Sequence, residues 1–190
     1  MTDEETIDLM QRYCSGDTQA FRALYAHLAP KLLAYLRSLT RNAALADDLL
    51  QQTFLKVHRS RDKYLAGAKP APWMYAIAHR TFIDEARKQK RTRARMERVS
   101  NEDHGPADIT GTKAALKEEP IDAELVEEVM TALESLPASQ REAVALTKLQ
   151  GKSLKEAALI AGTSTGAMKL RAHRGYATVR KMLAGKKGHG

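Results

Sequence analysis

Apolar side chains recur at helical spacing through most of the chain, and the alternation that marks strands is missing. Ile7, Met10 and Cys14 share a face in a segment from about Glu5 to Cys14, which Ser15-Gly16-Asp17 interrupts. Asp17 or Thr18 is placed to cap a second helix bearing Phe21, Leu24, Tyr25 and Leu28. Pro30 is expected to bend or divide that helix before Leu32, Leu33, Leu36 and Leu39. A third helix carries Leu49, Leu50, Phe54 and Val57, and its other side is polar, with Asp47, Asp48, Gln51, Gln52 and Lys56. The stretch 66–72 reads as a loop, and Pro72 starts a fourth helix where its missing N–H has no intrahelical partner to lose. Trp73, Ile77, Ala78 and Phe82 mark that helix, which ends in the basic run 87–95.

From about Val99 to Pro120 the periodicity dissolves into Ser, Asn, Asp, Gly, Pro, Thr and charge. A structureless loop of about 20 residues is unusual inside one compact domain, so this stretch reads as a linker. The expected architecture is all-α, with helical domains at 1–96 and 121–184, a flexible linker at 97–120 and a disordered tail at 185–190. The second domain opens with an acidic helix bearing Leu125, Val126, Val129, Ala132 and Leu133, which Pro137 stops. Ser139 to Glu142 has the form of a capping box, followed by a helix with Val144, Leu146 and Leu149 running to Gly151.

Two short helices and a tight turn follow between Ser153 and Leu183. Ser153 and Glu156 form another capping box, Gly162 sits where a left-handed C-cap is needed, and Thr163-Ser164-Thr165 supplies the next N-cap. Met168, Ala172, Tyr176, Val179 and Leu183 make an inward stripe, while Lys169, Leu170, Arg171 and Arg174 lie off it. A helix-turn-helix with cations and small polar groups at the start of its second helix suits the DNA major groove. No acidic residue follows Glu156, so nothing in the later sequence offsets phosphate attraction. The competing reading is a helical hairpin with a solvated basic face.

A net charge of +8 and a pI near 9.6 favour a polyanionic partner. No stretch reaches the roughly 18–20 apolar residues that span a bilayer, so direct membrane insertion is not expected. The acidic start Asp3-Glu4-Glu5 is unlike a signal peptide, and the single Cys14 fits a reducing compartment, so a cytoplasmic protein is expected. Cys14 is expected to pack as a small hydrophobe. The six histidines are scattered, and neither a Gly-rich phosphate loop nor a Cys/His set at metal-ligand spacing is present. Catalytic residues, metals and cofactors are therefore not expected, and a binding role is.

Several segments together resemble one family. Ala46 through Arg59 resembles the core-binding helix of bacterial sigma factors. Trp73 through Arg80, continuing through Ile83-Asp84 into the basic run, is similar to their promoter-melting helix. Leu136-Pro137 through Arg141-Glu142, with Gly162 through Arg174, is similar to their domain for the upstream promoter element. The two-domain form looks like the extracytoplasmic-function (ECF) group of the sigma-70 family.

The resemblance implies partners and places for them. Asp47, Asp48, Gln51, Gln52 and Lys56 match the face that docks on core RNA polymerase, whose β and β′ subunits such factors engage. Tyr64, Lys69, Trp73, Tyr75, His79 and Arg80 match the part that captures the unpaired −10 strand, and Arg87, Lys88, Lys90 and Arg91 the part near duplex phosphates just upstream. The family usually has asparagine at the position of Arg80, and often arginine at those of Ala76 and His79, which implies an altered −10 preference. Ser164, Thr165, Lys169, Leu170, Arg171 and Arg174 match the −35 reader. Kinship also implies control by an anti-sigma factor, often membrane-anchored. From the residues alone, a free-standing helix-turn-helix regulator and a non-specific nucleic-acid binder remain as rivals.

Overall fold

The computed structural model describes residues 1–99 and 123–186. The expected linker beyond Val99 and the tail at 187–190 lie outside the described residues. Every regular element among the described residues is helical.

Helix α1, Asp3–Cys14, starts earlier than the apolar pattern indicates. Thr2 caps it: the Thr2 hydroxyl accepts the Glu5 N–H at 3.2 Å, and the Glu5 carboxylate accepts the Thr2 N–H at 2.7 Å. Helix α2, Thr18–Thr40, is capped by Asp17, whose carboxylate accepts the N–H groups of Gln19 and Ala20. Pro30 does not divide it. Both Pro30 and Ala26 are exposed, so the carbonyl that proline leaves without a donor faces water. Arg41 ends α2 in the left-handed region at φ 58°, and Asn42 caps α3, Ala43–Arg59.

A one-turn 3-10 segment, Arg61–Lys63, leads to the loop before α4, Pro70–Val99. This helix begins at Pro70 rather than Pro72. Both prolines fit in its first turn, where backbone N–H groups lack helical acceptors. Met10, Leu24, Leu32, Leu36, Leu49, Val57 and Met74 are fully buried and hold α1–α4 together.

In the second domain α5, Ala123–Glu134, is followed by α6, Ala138–Val144, and a π-helical turn, Ala145–Leu149. Ser139 does not cap α6. Pro137 occupies the cap position without a side-chain bond, and Glu142 turns its carboxylate to the first domain instead. Leu149 ends the π turn and is exposed rather than packed. Helix α7, Leu154–Ile160, has the expected box, with Ser153 Oγ accepting the Glu156 N–H at 3.2 Å and Glu156 accepting the Ser153 N–H at 3.0 Å. Gly162 makes the turn at φ 60°, and Ser164 caps α8, Thr165–Lys186, by accepting the Ala167 N–H at 3.2 Å.

The inward face of α8 differs from the expected stripe in one place. Met168 and Val179 are buried, but Tyr176 is 49% exposed, and Gly175 takes the inward position. A Cβ on Gly175 would lie 2.8 Å from Val144 Cγ2 and 3.1 Å from the Gln140 carbonyl oxygen. The absent side chain is what lets α6 and α8 lie backbone to backbone. Ala132, Leu133, Leu136, Val144 and Val179 close the outer side of this domain.

The two domains abut. Helix α7 packs on α4 and α6 on α2, and Ala143, Ala145, Leu146, Ala157, Ala158 and Ile160 join the buried cluster of the first domain. Gly175→Ala is expected to destabilise the chain by about 1–3 kcal/mol, because a backbone carbonyl as well as a side chain would have to move. Urea unfolding followed by circular dichroism measures this, and an unchanged midpoint would contradict the close approach.

Candidate nucleic-acid interface

Helix α3 turns its polar side outward. Asp48 and Gln51 are exposed, with Gln52 Nε2 donating to Asp48 Oδ2 at 2.7 Å. Asp47 is held by Arg37 of α2 at 3.5 Å, and Lys56 by Asp84 of α4 at 3.5 Å. Phe54 points inward against Tyr25, with ring centroids 4.5 Å apart. Sequence reasoning missed Leu55, which is 57% exposed and continues the stripe of Asp48, Gln51 and Gln52 by one helical turn. Its only sequence signal is an apolar residue on a polar face.

The loop before α4 is folded on itself. The Tyr64 hydroxyl donates to the Ala68 carbonyl, and its ring meets Trp73 edge-on at 5.4 Å. Both rings are half-buried, which leaves one side of each to solvent. Lys69 pairs with Asp3 at 2.5 Å, and this bond holds the Asp3 carboxyl below its usual range. Along α4, Trp73, Arg80, Arg87 and Arg91 follow at helical spacing and share a side of the helix. Arg80, Arg87, Lys88, Lys90 and Arg91 are all exposed, and Lys88 lies 3.5 Å from Glu85.

Tyr75 and His79 do not join that stripe. Tyr75 is buried, and its hydroxyl donates to Gln150 Oε1 of the second domain at 2.6 Å. The Lys152 ammonium sits 4.7 Å from the centre of its ring, and burial pushes the phenol's pKa up. His79 Nδ1 is 2.6 Å from Glu142 Oε1, which also accepts the Tyr35 hydroxyl at 3.0 Å. In this arrangement both are covered: they lie one turn apart on the face that meets α2 and the second domain.

In the helix-turn-helix, Thr165, Lys169, Leu170 and Arg174 are exposed and Arg171 is half-buried. The Ser164 oxygen caps α8, while its own O–H remains able to donate to a phosphate. Cys14, expected inside, is exposed, with its thiol 3.3 Å from the Arg61 carbonyl. Among the described residues there is no cluster of three or more His, Cys, Asp or Glu side chains able to hold a metal, and no helix long and apolar enough to cross a membrane.

Known proteins share this plan. Residues 24–92 match the family profile of Sigma-70 region 2, and residues 126–179 that of Sigma-70, region 4. The chain is 40% identical over 174 residues to the RNA polymerase sigma factor CarQ of Myxococcus xanthus, spanning 92% of this chain and 95% of that protein. It is 36% identical over 177 residues to the ECF RNA polymerase sigma factor SigF of Caulobacter vibrioides, spanning 92% of each. The fold is similar to that of the sigma factor RpoE from Bartonella quintana, solved in complex with the anti-sigma factor NepR. That likeness has a TM-score of 0.68 and 26% identity, and spans 86% of this chain and 96% of that one. With two helical modules in the matching order and relatives this similar over nearly their whole length, the chain belongs to the ECF group of sigma-70 factors, non-enzymatic proteins that bind core RNA polymerase and direct it to promoters.

Proposed function

We propose that the chain carries out promoter-directed initiation through three surfaces, each on a different helix. The stripe of Asp48, Gln51, Gln52 and Leu55 on α3, flanked by Asp47 and Lys56, docks on core polymerase. Mixed carboxylates and amides around one apolar side chain make an ordinary protein-interface surface. Tyr64, Lys69, Trp73 and Arg80 take the unpaired −10 strand, with rings for unstacked bases and cations for the backbone. Arg87, Lys88, Lys90 and Arg91 neutralise duplex phosphates upstream.

Ser164, Thr165, Lys169, Leu170, Arg171 and Arg174 enter the major groove of the −35 element. Hydroxyls and helix N–H groups meet phosphates, the arginines meet phosphates or guanine edges, and Leu170 meets a thymine methyl or the polymerase. The observation that carries this reading is the Trp73, Arg80, Arg87, Arg91 stripe: one helix offers a ring and then successive cations along one side. Domain limits of 1–96 and 121–184, tethered through 97–120, accompany the assignment.

The protein acts in the cytoplasm, where polymerase and promoter are. An anti-sigma factor, soluble or membrane-anchored, controls it by covering the polymerase-facing surfaces. The support is kinship, together with the RpoE relative solved with NepR.

Arg171→Ala and Arg174→Ala should each weaken promoter binding by the holoenzyme by about 1–3 kcal/mol and leave core binding unchanged. Transcription from a defined promoter at wild-type level by both variants would remove α8 from promoter reading. Tight, specific duplex binding without core polymerase would instead support a stand-alone regulator.

Replacing Arg87 and Arg91 together with alanine should lower the slope of log binding constant against log salt by about 2, since each lost duplex phosphate contact removes about 0.9. Titrating promoter DNA with holoenzyme at several salt concentrations measures this. An unchanged slope would make the run a solubilising surface only.

A further inference from the structure

Away from the seam on which the two domains close, α8 carries exposed charge that the proposed surfaces leave unused. The helix has 22 residues, Thr165–Lys186, and is about 33 Å long at about 1.5 Å per residue. The proposed −35 reader ends at Arg174, less than halfway along it. Arg180 and Lys181 lie beyond, both exposed. Helical spacing puts them on the side of α8 that carries Lys169, Leu170 and Arg174, opposite the buried Met168, Gly175 and Val179.

An open cleft lies on that side, lined by His173, Tyr176, Ala177, Arg180, Lys181 and Ala184. Ala177 and Ala184 are its smallest side chains, so a strand lying between the cations can come close to the helix backbone. Lys148, from the π turn, is exposed and holds its ammonium 5.1 Å from the centre of the Tyr176 ring, beside the cleft. Among the described residues no carboxylate pairs with Lys148, Arg180 or Lys181. No acidic residue follows Glu156 in the sequence, so the positive field of this cleft has no counter-charge on its own helix.

We propose that Arg180 and Lys181, with Lys148 beside them, clamp the DNA phosphates on the far wall of the −35 major groove. The inference rests on the assignment of α8 as the −35 reader. Ser164 and Thr165 stand at the near wall, where hydroxyls and helix N–H groups meet phosphates. Arg180 lies about 22 Å from Thr165 along the axis. Side chains on a helix lean toward its N-terminus, which brings the charge back by about one turn, to about 17 Å. The major groove is about 12 Å wide, so with a phosphate at each edge these cations arrive at the opposite wall. Lys169, Leu170 and Arg174 then fall between the walls, over base edges. The cleft continues the reader's face without a break, so the duplex that meets Lys169 and Arg174 meets it too. Phosphate contacts on both strands fix the tilt and register of α8, while carrying no sequence information themselves.

The experiment titrates holoenzyme, formed with the full chain, onto a promoter mapped with this protein and core polymerase, at several salt concentrations. A second duplex has its −35 sequence scrambled. Arg180→Ala combined with Lys181→Ala should lower the slope of log binding constant against log salt by about 2, since each lost phosphate contact removes about 0.9. The ratio of affinities for the two duplexes should stay at the wild-type value. The charge-keeping pair Arg180→Lys with Lys181→Arg should retain the wild-type slope. Circular dichroism checks that each variant keeps its helix content.

A second readout replaces the phosphates of one groove wall at a time by uncharged methylphosphonates. Far-wall replacement should weaken the wild type and cost the alanine variant nothing further. An unchanged slope in the alanine variant would overturn the clamp. A fall in the affinity ratio would make the two residues base readers, and weaker binding to core polymerase alone would give the cleft to an acidic protein segment; either result overturns the clamp. If Arg171→Ala and Arg174→Ala are silent in the same assay, the −35 assignment falls. The Arg180 and Lys181 slope would still report whether this end of α8 touches DNA.

Discussion

The hydroxyls of Tyr35 and Tyr75 are buried where their own helical layer supplies little to bond with, and the closed arrangement of the chain follows from that. A buried hydroxyl without a partner costs about 1–3 kcal/mol. Within the first domain Tyr35 has His79 Nδ1 only at 3.4 Å, beyond a good bond, and Tyr75 finds its acceptor on Gln150. The second domain therefore completes the hydrogen bonding of the first. In return, Glu142 gains two donors inside the seam, in place of the water it would have in the open. Apolar contact of α7 with α4 adds burial that neither domain achieves alone.

That exchange gives α4 two distinct sides. An α-helix repeats every 3.6 residues, so Trp73, Arg80, Arg87 and Arg91 fall together while Tyr75 and His79 fall elsewhere. One helix can thus present cations to solvent and lock a neighbouring domain without any side chain serving both ends. The second domain meets a similar constraint with less material. Its α6 and α8 approach closely only because Gly175 has no Cβ to meet Val144 and Gln140. The approach leaves Thr165, Lys169, Leu170 and Arg174 on the opposite side, clear of the packing.

Much of this was legible in the sequence, because helix caps and apolar periodicity act locally. Asp17, Ser153, Gly162 and Ser164 sit at helix ends as their side chains or backbone freedom dictate. Arg87, Lys88, Lys90, Arg91, Lys169 and Arg174 are exposed, as charged side chains usually are. Three differences share a cause: they concern residues whose position depends on another domain or another helix. Tyr75 and His79 have the composition of a base-stacking surface, and nothing nearby in sequence indicates that Glu142 and Gln150 will reach them. Tyr176 fits an inward stripe as well as Val179 does, and only the closeness of α6 makes the neighbouring glycine the inward residue. The Ser139 box fails for the same reason, since its glutamate is drawn across the seam.

The distribution of exposed faces sets an order on what the chain can meet. Asp48, Gln51 and Leu55 on α3 are open in the closed arrangement, so docking through the face proposed for polymerase does not have to wait for the domains to part. A docked surface with an apolar centre and a polar rim contributes several kcal/mol even when modest in size. The seam, built on the Glu142–His79 contact and two tyrosine hydroxyl bonds, is of a strength that such docking can overcome. A stronger seam of the same area, with aliphatic side chains in place of Glu142 and Gln150, would hold the domains together after docking. The polar seam is reversible because each of its groups finds water when parted, whereas an apolar one would expose surface that water does not accept. Reversibility is therefore a property of those particular residue types.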